Sequence, residues 1–143
     1  MLCATTAAAQ GMDCAVYFSF WGVNMLRGER PRRDAGKSRA SFLQKMMKWM
    51  MPKGPKRQKM SKMHMGGVGL GMMEHFMKKN NVMTLAELMD DAVEQNVQFI
   101  VCSMSMGIMG IQKRDIMDLP NIEFAGVTAF VELSRRSAMS LVF

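Results

Sequence analysis

The stretch from Thr84 to Cys102 constrains this chain more than any other. Thr84-Leu-Ala-Glu87 is a capping box, in which the Thr84 hydroxyl accepts from the N3 amide and Glu87 reaches back to the N-cap amide. Leu85, Leu88, Met89, Ala92 and Val93 then recur on one side of a helix that ends near Asn96. The apolar run Val97-Gln-Phe-Ile-Val-Cys102 follows at once and reads as a buried strand. Helices that alternate with buried strands in this way build a parallel sheet covered by helices, an α/β fold.

The alternation extends over the rest of the chain. Residues 2–10 are Ala-rich and helix-prone, and Gly11 suits the helix end. Cys14-Ala-Val-Tyr-Phe-Ser-Phe20 is aromatic and β-branched, a second buried strand. Trp21-Gly-Val-Asn-Met-Leu26 leaves it in a turn and a short helix, and residues 27–38, with Pro31 and Gly36, form a polar loop. In Phe42-Leu-Gln-Lys-Met-Met-Lys-Trp-Met-Met51 the apolar positions 42, 43, 46, 47 and 50 follow a helical face, Lys45 and Lys48 fall on the other side, and Pro52 stops the helix. A basic loop (53–62), a glycine-rich loop (63–71) and a helix at 72–79 ended by Asn80-Asn81 come next. Ile122-Glu-Phe-Ala-Gly126 is a further strand, residues 127–136 a helix, and Met139-Ser-Leu-Val-Phe143 the expected last strand. A chain of this class ordinarily opens on a strand. This one opens in a helix, so a first strand is expected to be missing.

At 143 residues the length fits one domain, 1–143. No apolar stretch reaches the roughly 18 residues of a membrane span, and residues 1–10 lack the basic and apolar regions of a signal peptide. Three widely spaced cysteines, Cys3, Cys14 and Cys102, do not make a disulfide framework and fit a reducing cytoplasm. Two features are unusual: 20 methionines and a net charge of +7. Residues 27–62 hold 13 of the 19 basic residues and 2 of the 12 acids, so they carry +11 and the remainder −4. That division marks a basic, Met-rich insertion at about 27–71.

Cys102 ends its strand just before Ser103-Met-Ser-Met-Gly-Ile-Met-Gly-Ile111. In open parallel sheets the functional crevice lies beyond the carboxyl ends of the strands. Turn amides and a following helix lower a thiol's pKa there, and the thiolate is the nucleophile. Burial as simple packing is the alternative, since free Cys is among the most buried residue types. Cys3, in the Ala-rich helix, and Cys14, at a strand start, are expected to pack.

Val101-Cys-Ser-Met-Ser-Met-Gly-Ile-Met-Gly-Ile111, Phe18-Ser-Phe-Trp-Gly-Val-Asn24, Met50-Met-Pro-Lys-Gly-Pro55 and Glu123-Phe-Ala-Gly-Val127 resemble the DsrE/DsrF-like sulfur-relay family, most closely its methionine-rich subgroup. The resemblance runs from about Leu2 to the end. It implies a three-layer α/β/α domain with a mainly parallel sheet of about five strands, a homo-oligomer, and one cysteine, Cys102, that carries sulfane sulfur as a persulfide. It further implies exchange of sulfur with rhodanese-like and TusA-like partners, with no dissociable cofactor. Ser103, Ser105 and the Met106-Gly107 turn would position the sulfur anion, and Met104, Met106 and Met109 would shelter it. Ser103 stands where relatives usually have Thr, which keeps a hydroxyl. Gly107 stands where they have Asp, which removes a carboxylate. The subgroup is also labelled peroxiredoxin-like, but the chain has no Pro-x-x-x-Thr-x-x-Cys string.

Two other chemistries are open to these residues. Met60, Met63, His64 and Met65 are ligand types that suit Cu(I), although lysines and arginine crowd the residues just before them. The basic segment, with Phe42 and Trp49 on an apolar face, suits an interaction surface, a peripheral contact with an anionic membrane, or an oligomer neighbour. Nucleic acid is disfavoured, because aromatic residues are not interleaved with the basic ones.

Overall fold

The computed structural model describes residues 1–28, 41–51, 53–55 and 68–142. Helix α1 (Leu2–Ala9) ends through Gln10 on Gly11 in the left-handed region, and strand β1 (Ala15–Phe18) follows. A 3₁₀ segment, Phe20–Leu26, leads away from it. Helices α2 (Phe42–Met50), α3 (Val68–Lys79) and α4 (Leu85–Glu94) precede the central strand β2 (Gln98–Cys102). Helix α5 (Ser103–Met109), strand β3 (Ile122–Ala125) and helix α6 (Val127–Arg136) complete the order.

The three strands form one parallel sheet in the order β1-β2-β3. Phe18 pairs with Val101, which pairs with Phe124, and Cys102 pairs with Ala125. Phe99, Ile100, Val101 and Cys102 are all buried, as a strand covered on both faces must be. Side chains alternate across the sheet, so Phe18, Phe99 and Val101 share one face. Phe18 and Phe99 stack there at 5.9 Å between ring centroids, within a core that includes Val23, Leu26, Met89, Met106, Met109 and Ile116. Tyr17, Ile100 and Cys102 share the other face, where Phe130 of α6 meets the Tyr17 ring at 5.2 Å.

The capping box of α4 is complete: Thr84 Oγ1 accepts from the Glu87 amide, and Glu87 Oε2 accepts from the Thr84 amide at 2.6 Å. Thr84→Ala removes one of these bonds and is expected to cost about 1 kcal/mol of stability, read as a lower urea midpoint with an unchanged slope.

The α/β class and its parallel sheet hold, with three strands among the described residues rather than about five. Met139–Val142 are not a strand; they are irregular and exposed, and Ser140 returns to Ser134 with 3.1 Å between the hydroxyls. Their β-prone side chains pair with neither sheet edge, and β propensity without a partner strand makes no ladder. Helix α3 starts at Val68, inside the glycine run expected to be loop, so Gly69 and Gly71 are helical despite their poor propensity.

Helix α2 forms where its periodicity placed it, yet the apolar side chains described on it are not buried. Phe42, Leu43, Met46, Trp49 and Met50 are all exposed, Trp49 at 83%. The helix is held instead through Gln44, whose Nε2 donates to the Gly107 carbonyl at 3.1 Å. The close approach depends on Gly110, the C-cap of α5: its φ is 66°, and a Cβ there would stand 2.5 Å from Gln44 Cβ.

Arg27 departs most from expectation. It begins a segment read as a polar loop, but only 2% of it is exposed. Its Nη1 donates to Asn24 Oδ1 at 2.9 Å, and Asn24 Nδ2 donates to the Met51 sulfur at 3.6 Å. The Gly54 amide donates to the Asn24 carbonyl, and Arg27 bridges Ile116 across the Asp115 loop. Burial lowers the Arg27 pKa and the Asp115 charge opposes that shift. This polar knot ties the 3₁₀ segment, the end of α2 and the loop before β3 together.

Candidate functional site

Cys102 is the last residue of the central strand and the N-cap of α5. It is a free cysteine with none of its surface exposed. Burial pushes its pKa up, but the Ser105 and Tyr17 hydroxyls and the Ser105 and Met104 amides, which favour the thiolate, together outweigh burial. The net shift is downward from 9.0, so the thiolate fraction near neutral pH exceeds that of an ordinary thiol. The donors are neutral hydroxyls and backbone amides.

Ser105 is fully buried, and its hydroxyl lies 3.1 Å from the Ser19 hydroxyl at the end of β1. Either oxygen can donate in this pair. When Ser19 donates to Ser105, the Ser105 proton is free for sulfur. Tyr17, two residues earlier on β1, presents a buried hydroxyl that completes no hydrogen bond among the described residues. It lies on the same face of the sheet as Cys102, and each group shifts the other's ionisation. Burial first, and then Cys102, push the phenol up from 10.0 to about 12.

Tyr17 is the only tyrosine in the chain, which makes this shift directly measurable. A raised phenol pKa means that the neutral phenol is retained in the fold while an unfolded chain ionises. Stability contributed by Tyr17 is therefore present below pH 10 and is lost as pH rises towards 12. Difference absorbance of phenolate is expected to titrate near 12 in the folded protein and near 10 in urea.

The other expected site residues divide. Ser103 is exposed on the first turn of α5, and Gly107 is exposed on its outer side, where its carbonyl accepts from Gln44. Met106 and Met109 are core residues, whereas Met104 is 51% exposed. Of the expected set only Ser105 acts on the Cys102 sulfur through its side chain, and Met104 acts through its amide. Tyr17 and Ser19 were not singled out from sequence. Their alternation along the first strand was visible, but the parallel register that sets them beside Cys102 was not. Cys14 is partly buried, and Cys3 is exposed rather than packed.

Met60, Met63, His64 and Met65 lie outside the described residues, as do most of the basic positions between 29 and 62. Among the described residues no group of three or more His, Cys, Asp and Glu is placed to hold a metal ion. No described helix is long and apolar enough to cross a membrane.

A thiol at the end of the central parallel strand, followed directly by a short helix, matches the site expected from sequence. A profile of the DsrE/DsrF/DrsH-like family matches residues 1–142. The chain belongs to this family. It is 36% identical to the uncharacterized protein YrkE of Bacillus subtilis (strain 168), over 96% of this chain and 82% of that protein. It is 29% identical to the sulfur carrier protein DsrE2 of Allochromatium vinosum, over 96% of this chain and 84% of that one. As a DsrE/DsrF/DrsH-like domain, the chain carries Cys102, Ser105, Ser19 and Tyr17 together at the carboxyl ends of β1 and β2.

Proposed function

We propose that this protein is a sulfur-relay carrier that holds sulfane sulfur as a persulfide on Cys102 and passes it to a partner thiol. The observation that carries the reading is the Cys102 thiol itself, made more acidic than usual by hydroxyls and amides although it is buried. Likeness to a sulfur carrier protein over nearly the whole chain supports it.

The chemistry is isoelectronic and needs no oxidant or reductant. The Cys102 thiolate attacks the outer sulfur of a donor persulfide or polysulfide. A new S–S bond forms at Cys102, the donor's S–S bond breaks, and the donor leaves as a thiolate with the electron pair. In release, a partner thiolate attacks the outer sulfur and Cys102 departs as the thiolate. A single cysteine suffices, because each partner brings its own. Ser105 is the hydroxyl nearest this chemistry on α5; Ser103, Met106 and Gly107 frame the same turn.

The partners are sulfur donors and acceptors of the rhodanese-like and TusA-like kinds, met in the cytoplasm. Helix α2 would help receive them or a second copy of the chain: Phe42, Leu43, Met46, Trp49 and Met50 are exposed, and Gln44 bonds the Gly107 carbonyl of α5.

The test is loading with polysulfide in a Cys3→Ser, Cys14→Ser background, read by intact mass. The carrier reading expects a gain of one sulfur atom that dithiothreitol reverses. No gain, or the same gain after Cys102→Ala, rejects it.

A further inference from the structure

We propose that the Tyr17 hydroxyl is the hydrogen-bond donor that stabilises the anionic sulfur of Cys102, and so favours departure of Cys102 as a thiolate when sulfur is handed on. The proposal rests on the carrier reading for its purpose, but its geometry stands apart from that reading.

Tyr17 occupies β1 with its partner Ile100 next to Cys102's own position on β2, and alternation places Tyr17 and Cys102 on the same face of the sheet. Phe130 of α6 braces the ring at 5.2 Å. The hydroxyl is buried and completes no bond among the described residues, while the group it addresses is the Cys102 sulfur. A buried hydroxyl without a partner is unfavourable and rare in native proteins. A neutral thiol is a weak acceptor and leaves it idle, whereas a thiolate is a strong one. The contact is therefore worth most when sulfur carries charge.

In the release step the acceptor's sulfur forms a bond to the outer sulfur, and the bond from that sulfur to Cys102 breaks. The electron pair settles on Cys102 Sγ, on the sheet face that Tyr17 shares. No proton is transferred, because a phenol raised to about 12 is a far weaker acid than the thiol beside it. Ser105, supported by Ser19, supplies the second hydroxyl. Two neutral donors, one from β1 and one from the first turn of α5, then serve one sulfur.

Tyr17→Phe keeps the ring on Phe130 and removes only the hydroxyl. In the Cys3→Ser, Cys14→Ser background, the rate of Cys102 alkylation by iodoacetamide is followed against pH. The expected result is a midpoint raised by about one unit, so that the rate near neutral pH falls about tenfold while the high-pH plateau is kept. The melting temperature should stay level or rise, because the removed hydroxyl completes no bond in the resting fold. A midpoint equal to that of the parent, or a lower plateau with no shift, overturns the proposal. A second measurement does not depend on a substitution. Biosynthetic fluorotyrosine enters this chain at one position, and its ¹⁹F resonance should move with the Cys102 ionisation and stop moving in Cys102→Ala. A resonance indifferent to Cys102 overturns the proposal. Neither measurement uses a sulfur donor. A protein that shows both effects yet takes up no sulfur in the loading assay refutes the carrier reading and leaves the Tyr17 contact in place.

Discussion

Cys102→Ala is expected to abolish reversible sulfur loading in a chain whose other two cysteines are serine. The remaining groups offer no thiolate, and methionine thioethers do not attack sulfane sulfur. The parent should load faster near neutral pH than an ordinary buried thiol, because its pKa is lowered, and its rate should fall as pH drops through that lowered value. The substitution removes one sulfur atom from a fully buried position. Its stability cost should stay near 1 kcal/mol, at the low end for core truncations, so the fold survives and the loss reports chemistry. Polysulfide also labels accessible thiols without any site. Cys3 is exposed and Cys14 half-buried, so the serine background is needed for the result to be read on one residue.

The largest effect on stability is expected at Arg27. Its guanidinium donates to buried Asn24 and lies in the field of Asp115. Arg27→Ala leaves the Asn24 carbonyl oxygen without that donor, removes the countercharge to Asp115, and opens a cavity beside Ile116. Leaving a buried polar group without its partner costs about 1–3 kcal/mol, and the cavity adds to that, a large share of the roughly 5–15 kcal/mol that holds a domain together. Arg27→Met fills more of the space and should recover part of the loss. A urea midpoint for Arg27→Ala within error of the parent would show that the knot contributes nothing.

Local signals were legible where a short segment decides its own structure. The Thr84–Glu87 capping box, the apolar run into Cys102, the Ala-rich first helix and Ile122–Ala125 are all where their residues placed them. What depends on partners was not legible. Arg27 reads as the first residue of a basic loop, and only Asn24 and Asp115, brought up by the fold, allow it to be buried. Met139–Val142 has strand composition but pairs with neither edge of the described sheet. The stripe of α2 has core periodicity, yet its residues Phe42, Leu43, Met46 and Met50 are exposed, while Gln44 approaches Gly110.

The candidate site follows the same division. Cys102 and Ser105 lie in one continuous string, and local reasoning reaches both. Tyr17 and Ser19 sit more than eighty residues earlier and join the thiol only through the parallel register of β1 with β2. Ser103 and Gly107 lie in the right string but on the outward side of α5, since a helix turns about 100° per residue and cannot aim successive side chains at one atom. Met106, expected beside the sulfur, is packed into the core instead.

The central claim is that Cys102 both accepts sulfur and gives it up, and one measurement tests it most directly. The persulfidated protein, freed of excess polysulfide, is mixed with an equimolar thiol-bearing acceptor of the TusA-like kind, and both chains are weighed over time. The account predicts that the extra sulfur leaves the peptide containing Cys102 and appears on the acceptor in equal amount, with no disulfide formed between the two. Sulfur that stays on Cys102, or that is released as sulfide while the two chains become disulfide-linked, would contradict it.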